Sequence, residues 1–103
     1  MAAEALRRRY AANQVIFVEG DPCAGLYAVE AGWVKSIKIS PGGREQIVRF
    51  AGPGETLNEV AVFTGDANAV TVVALEPAAL WVIARPVLLR LLDERPNLRW
   101  LMM

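Results

Sequence analysis

Short runs of β-branched and aromatic residues recur along most of this chain, and turns containing glycine or proline separate them. The runs are QVIFVEGD, GLYAVEAG, WVKSIKIS, REQIVRF, AVTVVALEP and AALWVIA. A spacing of about 8–12 residues between short strands is typical of an all-β sandwich or barrel. The PGG turn at residues 41–43 lets REQIVRF pair back on WVKSIKIS as a hairpin. The pattern therefore predicts a mainly β fold, with the strands between residues 10 and 85.

The strict alternation in WVKSIKIS predicts which side chains share a face of that strand. Trp33, Lys35, Ile37 and Ile39 fall on one face, and Val34, Ser36, Lys38 and Ser40 fall on the other. Because the first face holds three large apolar residues, we expect it to be the buried one, with Lys35 either near the strand end or extending its charged end to solvent.

Helical patterns flank the β region. Residues 1–10 are rich in Ala, Glu, Leu and Arg, which predicts the end of a helix. PVLLRLLDERP has a proline in its first turn and aligns Leu88, Leu91 and Leu92 on one face. NLRWLMM predicts a second C-terminal helix, with Asn97 as its N-cap.

These elements predict one domain over residues 1–103. Its β-roll spans residues 10–85, and its C-terminal helices span residues 86–103. The last helix ends on unpartnered apolar residues, which indicates a truncated chain or a partner surface. The predicted interface residues are Leu98, Trp100, Leu101 and Met102.

Composition narrows the classes of function. Eleven basic residues balance 11 acidic ones, whereas a free-standing nucleic-acid binder is usually basic. We interpret Arg7–Arg9 as a solvated helix end rather than as a phosphate contact. The chain has no histidine and one cysteine, so zinc, haem and iron–sulfur sites lack their usual ligands. No apolar run reaches a membrane-spanning length, and no signal peptide precedes the domain, so we expect a cytoplasmic protein.

The stretch GETLNEVAVFTGDANAVTVVA, residues 54–74, is the strongest candidate for a functional site. A glycine turn, an apolar segment containing Glu59, a second turn and a β-branched strand follow one another. This order can arrange a helix N-terminus and a carboxylate around one small ligand. Two interpretations of Glu59 carry equal weight: a ligand contact, or a first-turn carboxylate satisfied by helix amides. Asn68 is more typical of a turn residue than of a ligand contact.

Three segments together identify a family. VEGDPCAGLYAVEAGWVKSIK, PGGREQIVRFAGPGE and NEVAVFTGDANAVTVVALEPAALWVI occur in this order. Over roughly residues 10–103 the chain resembles the cyclic nucleotide-binding domain of the bacterial Crp/Fnr regulators. The resemblance implies a double-stranded β-helix, or jelly-roll, with an N-terminal helix end and two C-terminal helices.

The resemblance further implies that Gly54–Thr71 is the phosphate-binding cassette. The family form is Gly-Glu, two residues, Gly-Glu, a short helix, then Arg-Ser/Thr-Ala. Glu59 matches the carboxylate that accepts a hydrogen bond from the ribose. Asn58 stands where the second glycine is expected, Asn68 where the arginine is expected, and Ala69 where serine or threonine is expected. The implied ligand-binding residues are Gly54, Glu55, Leu57, Asn58, Glu59, Val60, Asn68, Ala69 and Val70.

Loss of the arginine changes the chemistry expected of the cassette. A guanidinium makes a bidentate, charge-assisted contact to phosphate, and losing one partner of such a contact costs roughly 2–5 kcal/mol. Arg44 or Arg49 of the neighbouring hairpin is a candidate substitute. Otherwise Asn58, Glu59 and Asn68 give a polar lining without a cation.

The resemblance implies a non-enzymatic sensor of a cyclic nucleotide, cAMP or cGMP, or of another small effector, in a transcription regulator. The chain is then a fragment of a longer regulator or a stand-alone receptor. We expect a homodimer in the full-length protein, DNA contact only through a domain absent here, and no membrane or metal. The alternative is a ligand-free dimerisation or protein-interaction module. A cupin-type enzyme, the third class, conflicts with the absence of histidine.

Overall fold

The computed structural model describes residues 5–94, which form two four-stranded sheets and two short helices. The predicted mainly β fold with one short internal helix is confirmed. The strands are β1 Leu6–Tyr10, β2 Val15–Phe17, β3 Gly25–Ala31, β4 Val34–Ile39, β5 Glu45–Ala51, β6 Thr56–Leu57, β7 Thr71–Ala74 and β8 Ala78–Ala84. The helices are α1 Glu59–Thr64 and α2 Arg85–Glu94.

The strands alternate between two antiparallel sheets. The first sheet has the order β1-β8-β3-β6, and the second has the order β2-β7-β4-β5. The predicted hairpin across the PGG turn is present, with pairs from Val34↔Ala51 to Ile39↔Glu45. Edge strands β5 and β6 belong to different sheets and follow each other in the chain. The short segment between them therefore carries the chain from one sheet to the other immediately before α1.

The main core lies between the inner faces of the two sheets. Leu80, Val34 and Val72 are completely buried there. The Phe17 and Tyr27 rings pack at a centroid distance of 4.9 Å. Each large aliphatic side chain buried in this way contributes about 1.5–3 kcal/mol of transfer free energy. A second cluster, Leu26, Val62, Leu88 and Leu92, holds α1 and α2 against the roll.

One part of the predicted fold is wrong: Leu6–Tyr10 is a strand and not the end of a helix. Leu, Arg and Tyr tolerate both conformations, so local propensity gives only a weak preference here. Pairing decides the outcome, because β1 matches β8 at every residue from Leu6↔Val82 to Tyr10↔Ala78. The β-roll therefore begins at Leu6.

A polar contact on the outer face ties β1 into the first sheet. The Arg7 guanidinium donates a hydrogen bond to Glu30 Oε1 at 2.8 Å, and the Trp81 indole donates to Glu30 Oε2 at 2.7 Å. The register of β3 on β8 shifts between Val29 and Ala31, which leaves Glu30 as the extra residue of a bulge. Three strands are thus joined through one carboxylate.

The prediction of which face of β4 is buried is also wrong. Val34 and Ser36 are buried on the inner side, whereas Ile39 is 60% exposed and Trp33 is 46% exposed. A register shift after Ser36 makes Val48 an extra residue in β5 and interrupts the strict period of two. Ile37 is nevertheless buried.

The first C-terminal helix matches its prediction. In α2, Leu88 and Leu92 are buried, and Leu91 is half-buried. Pro86 lies in the first turn, where its missing N–H costs no helical hydrogen bond. The predicted second helix and the predicted interface residues Leu98, Trp100, Leu101 and Met102 lie outside the described residues.

The contact at Glu30 predicts a pH-dependent contribution to stability. The hydrogen bond from Arg7, and after it the one from Trp81, lower the pKa of the Glu30 carboxyl below its ordinary value. A carboxyl whose pKa is depressed in the folded state stabilises the protein above its unfolded pKa and loses that contribution as pH falls through its folded pKa. We therefore expect Glu30→Gln to lower the free energy of unfolding at pH 7, and the deficit to shrink below about pH 4.

Urea unfolding of both proteins between about pH 3 and pH 7 measures this difference. Glu76→Gln, at an exposed position in the turn before β8, is the matched control and should show no pH-dependent deficit. A deficit at Glu30 that stays constant over the whole range would contradict the assignment.

Candidate ligand-binding site

The turn that opens the candidate cassette is fixed to strand β3. The Gly54 N–H donates to the Val29 carbonyl at 2.9 Å, and the Val29 N–H donates to the Glu55 carbonyl at 2.9 Å. Gly54 has φ +90°, a left-handed conformation that glycine adopts at low cost. The Glu55 carboxylate accepts the Gly52 N–H at 2.8 Å. Gly54 and Glu55 therefore build the turn, and the Glu55 side chain is engaged within it.

Asn58 precedes α1 in a left-handed conformation, with φ 75° and ψ 20°. Only glycine and, less readily, asparagine or aspartate adopt this conformation at modest cost. The resemblance expects glycine at this position, so asparagine is an exchange that preserves the backbone. Leu57, directly before it, is buried in the main core and anchors the entry to the helix.

The Asn58 side chain does not cap α1 but turns back toward the roll. Its Nδ2 group donates to Asn68 Oδ1 at 3.0 Å, to the Gly25 carbonyl at 3.2 Å and to Cys23 Sγ at 3.3 Å. The closest of these acceptors is Asn68, ten residues along the chain. The two asparagines that depart from the family pattern thus bond to each other.

Asn68 is buried, with 4% of its surface exposed. Its Nδ2 donates to the Val18 carbonyl at 3.0 Å, and its main chain exchanges hydrogen bonds with Gly20 and Asp21. Both ends of the side-chain amide are therefore engaged by protein. These bonds join Asn68 to distant segments of the chain and are not the local bonds of a turn residue, so whether Asn68 contacts a ligand stays a prediction.

Glu59 is half-buried in the first turn of α1, next to Asn58. Its Oε1 atom is buried and has no hydrogen-bond partner among residues 5–94. Helix amides do not satisfy this oxygen. The interpretation of Glu59 as a carboxylate satisfied by helix amides therefore does not hold for Oε1. Buried polar atoms are nearly always paired, so this one indicates a position for an external donor.

The remaining predicted residues lie around this centre with different exposures. Val60 is 72% exposed, and Ala69 is exposed. Val70 is half-buried and packs against the main core. The structure brings together Asn58 and Asn68, and Glu59 directly follows Asn58 in the chain.

The sequence offers Arg49 only as a candidate substitute for the missing arginine. Its Nη2 donates to the Thr56 carbonyl at 2.7 Å, across from β5 to β6. Thr56 is three residues before Glu59, so this guanidinium reaches the strand that leads into the cassette. Arg44 lies at the tip of the hairpin, where its main-chain N–H bonds to Ser40 Oγ.

A groove of about 500 Å³ lies elsewhere, against the start of β1 and α2. Its lining residues are Leu6, Arg8, Ala24, Val82, Ala84, Val87 and Arg90. None of them belongs to the predicted cassette, so groove and cassette are separate. In the part of the chain that the structure describes, no group of three or more Cys, Asp or Glu side chains could hold a metal ion. None of the described helices is long and apolar enough to cross a membrane.

Comparison with known proteins agrees with this architecture. The cyclic nucleotide-binding domain family matches residues 7–95. The chain is 36% identical to the anaerobic regulatory protein of Haemophilus influenzae over 84% of its own length and 34% of that protein. It is 32% identical to the CRP-like cAMP-activated global transcriptional regulator of Mycobacterium tuberculosis, over 81% of its own length and 43% of that regulator.

A solved structure agrees as well. The c-di-GMP-responsive global regulator CLP of Xanthomonas campestris superposes with a TM-score of 0.86 at 27% identity, covering 97% of this chain and 51% of that one. The protein is therefore a member of the cyclic nucleotide-binding domain family, and it resembles the sensor part of Crp/Fnr-type regulators. It spans less than half the length of the two curated relatives described above.

The bond between the two asparagines predicts coupled effects on stability. Asn58→Gly keeps the left-handed backbone but leaves the buried Asn68 oxygen without its donor, so we expect a loss of about 1–3 kcal/mol. Asn58→Ala should lose about 1–2 kcal/mol more, because alanine is strained at a positive φ. The double variant Asn58→Gly/Asn68→Ala should lose less than the sum of the two single variants.

Urea unfolding of the four proteins in a double-mutant cycle measures the coupling, which we expect at about 0.5–3 kcal/mol. Strict additivity of the two substitutions would show that the amides act independently, contrary to this expectation.

Proposed function

We propose that this chain is the effector-sensing domain of a Crp/Fnr-type transcription regulator, with its ligand site at residues 54–70. The single observation that carries the proposal is the buried Glu59 Oε1 atom without a partner within the described chain. Leaving such an oxygen unpaired costs about 1–3 kcal/mol or more, and a ligand hydroxyl would supply the missing donor. Membership of the cyclic nucleotide-binding family supports the same assignment.

The ligand is a cyclic nucleotide, cAMP or cGMP, or another small effector with a hydroxyl group. The relative from M. tuberculosis is named as cAMP-activated, and the one from X. campestris as responsive to c-di-GMP. Effectors therefore differ among proteins with this fold. Gly54, Glu55 and Leu57 shape the site, whereas Asn58, Glu59, Val60, Asn68, Ala69 and Val70 surround it.

The full regulator is proposed to act as a homodimer in the cytoplasm and to contact DNA through a region outside this chain. The shares of the relatives that the chain covers, 34% and 43%, leave room for such a region. We assign no catalytic step to the domain, since the two curated relatives described above are regulatory proteins.

A second candidate is a ligand-free interaction module. It is favoured by the engagement of both asparagine amides with protein atoms. Four large apolar side chains exposed on the β4–β5 hairpin also suit a partner surface: Ile39, Ile47, Val48 and Phe50.

Thermal denaturation with cAMP, cGMP and c-di-GMP tests the sensor proposal. A ligand at about 100 times its Kd adds roughly 2.7 kcal/mol, which raises the midpoint of a domain of this size by roughly ten degrees or more. We expect such a shift with at least one of the three. In Glu59→Ala the shift should disappear, while the midpoint without ligand should stay level or rise, because an unpaired buried oxygen is removed.

Glu76→Ala, at an exposed position outside the cassette, is the control and should keep the full shift. A flat response of the unaltered domain to all three compounds would favour the interaction module. An unchanged shift in Glu59→Ala would remove Glu59 from the site.

A further inference from the structure

This chain lacks the arginine with which the family pattern binds the anion of a ligand, and the structure offers another cation. Asn68 cannot supply an anchor, because it carries no charge and its amide bonds to Val18 and Asn58. Arg85 also lies near α1, but its Nε donates to the Val62 carbonyl within that helix. Arg85 contacts the last turn of α1 and lies beside Gly65, whereas Arg49 bonds to Thr56, three residues before Glu59, so Arg49 is the candidate nearer to Glu59 along the chain.

Arg49 lies on the inner face of the second sheet. It is the cross-strand partner of Ser36, and two residues later Ala51 pairs with Val34. Cross-strand partners share a face of the sheet, and Ser36, Ala51 and Val34 are all buried. Arg49 is exposed although it lies on the inner face, because β5 is the edge strand of its sheet.

The guanidinium is held in place by protein on one side. Its bond to the Thr56 carbonyl fixes it against β6, and this bond uses one of its five N–H donors. Among the described residues Arg49 forms no ion pair; the acidic residue of its own strand, Glu45, pairs with Lys35 at 2.7 Å. A positioned guanidinium without a carboxylate partner is suited to bind an anion.

We propose that Arg49 is the anion anchor of this site and replaces the arginine that the cassette lacks. The proposal rests on the proposed sensor function. The ligand then spans the mouth of the roll, with a hydroxyl on Glu59 and a phosphate or carboxylate on Arg49. The anion is held from the β5 side rather than from the end of the cassette, so the ligand lies in a different orientation from the one that the family pattern implies.

The hairpin offers a matched control for this proposal. Arg44 is also an exposed arginine of the β4–β5 hairpin, and its hydrogen bonds with Ser40 use only the main chain of Arg44. Arg44→Gln therefore removes the same charge from the same hairpin without removing those bonds. Arg49→Gln and Arg49→Lys are the test variants.

Isothermal titration of the whole chain with cAMP and with adenosine separates the anion from the rest of the ligand. We expect Arg49→Gln to weaken cAMP binding at least about 10-fold, the lower end for loss of a hydrogen bond to a charged group, and Arg49→Lys to recover part of it. Adenosine, which keeps the hydroxyls but lacks the phosphate, should bind the unaltered domain and Arg49→Gln with the same affinity. Arg44→Gln should leave both affinities unchanged.

Other outcomes overturn the proposal in distinguishable ways. If cAMP binds the unaltered domain and Arg49→Gln equally well, the sensor function stands and Arg49 is not the anchor. If Arg49→Gln weakens the binding of cAMP and of adenosine alike, Arg49 supports the β5–β6 edge and does not bind the anion. If neither cAMP, cGMP nor c-di-GMP binds the unaltered domain, the sensor function and the anchor fail together.

Discussion

One hydrogen bond between two side-chain amides, Asn58 to Asn68, determines how the candidate site is assembled. Asn58 begins α1, and Asn68 is attached through main-chain and side-chain bonds to the segment between β2 and β3. The bond therefore joins the helix to the roll, together with the bonds from Asn58 to Gly25 and Cys23 and the bond from Arg85 to Val62. Because Asn68 is buried, losing Asn58 leaves the Asn68 amide oxygen unpaired. Asn58 keeps its bonds to Gly25 and Cys23 when Asn68 is lost.

The same bond explains how this chain departs from its family without losing the fold. A left-handed residue is needed before α1, and asparagine meets that need almost as well as glycine. Asparagine adds an amide that a glycine lacks, and Asn68 receives it. An arginine at position 68 would bring a charge and a longer side chain into a place that is now buried. The two exchanges are compatible with each other, and the anionic half of any ligand must be recognised elsewhere.

The order of the strands could be predicted from the sequence because turns and β-branched runs are local signals. Strands β2 to β5, β7 and β8 and the hairpin follow from them. Helix α2 follows from its first-turn proline and its leucine spacing, and the resemblance to the family implies the short helix α1. Residues 6–10 were different: helix-forming residues became a strand because β8 offers a full-length partner, which no local pattern reveals. The bulge at Val48 likewise depends on pairing with β4, so the period of two failed there.

The sequence nominated the segment of the candidate site but not the contacts within it. The glycine turn and Glu59 marked that segment, and the resemblance to the family identified the two unusual asparagines. Their mutual bond could not be predicted, since it depends on the path of the chain between residues 58 and 68. Nor could the reach of Arg49, because only the folded structure places Thr56 beside it.

The amide pair also constrains how such a cassette can change over evolutionary time. Starting from glycine and arginine, a first substitution to asparagine gains less than the pair does. At position 68 it loses the anchor, and at position 58 its amide bonds to Gly25 and Cys23 but lacks the Asn68 acceptor. We therefore expect domains of this lineage to carry the two asparagines together more often than separately, so that each is a marker for the other when sequences are sorted by the ligand they recognise.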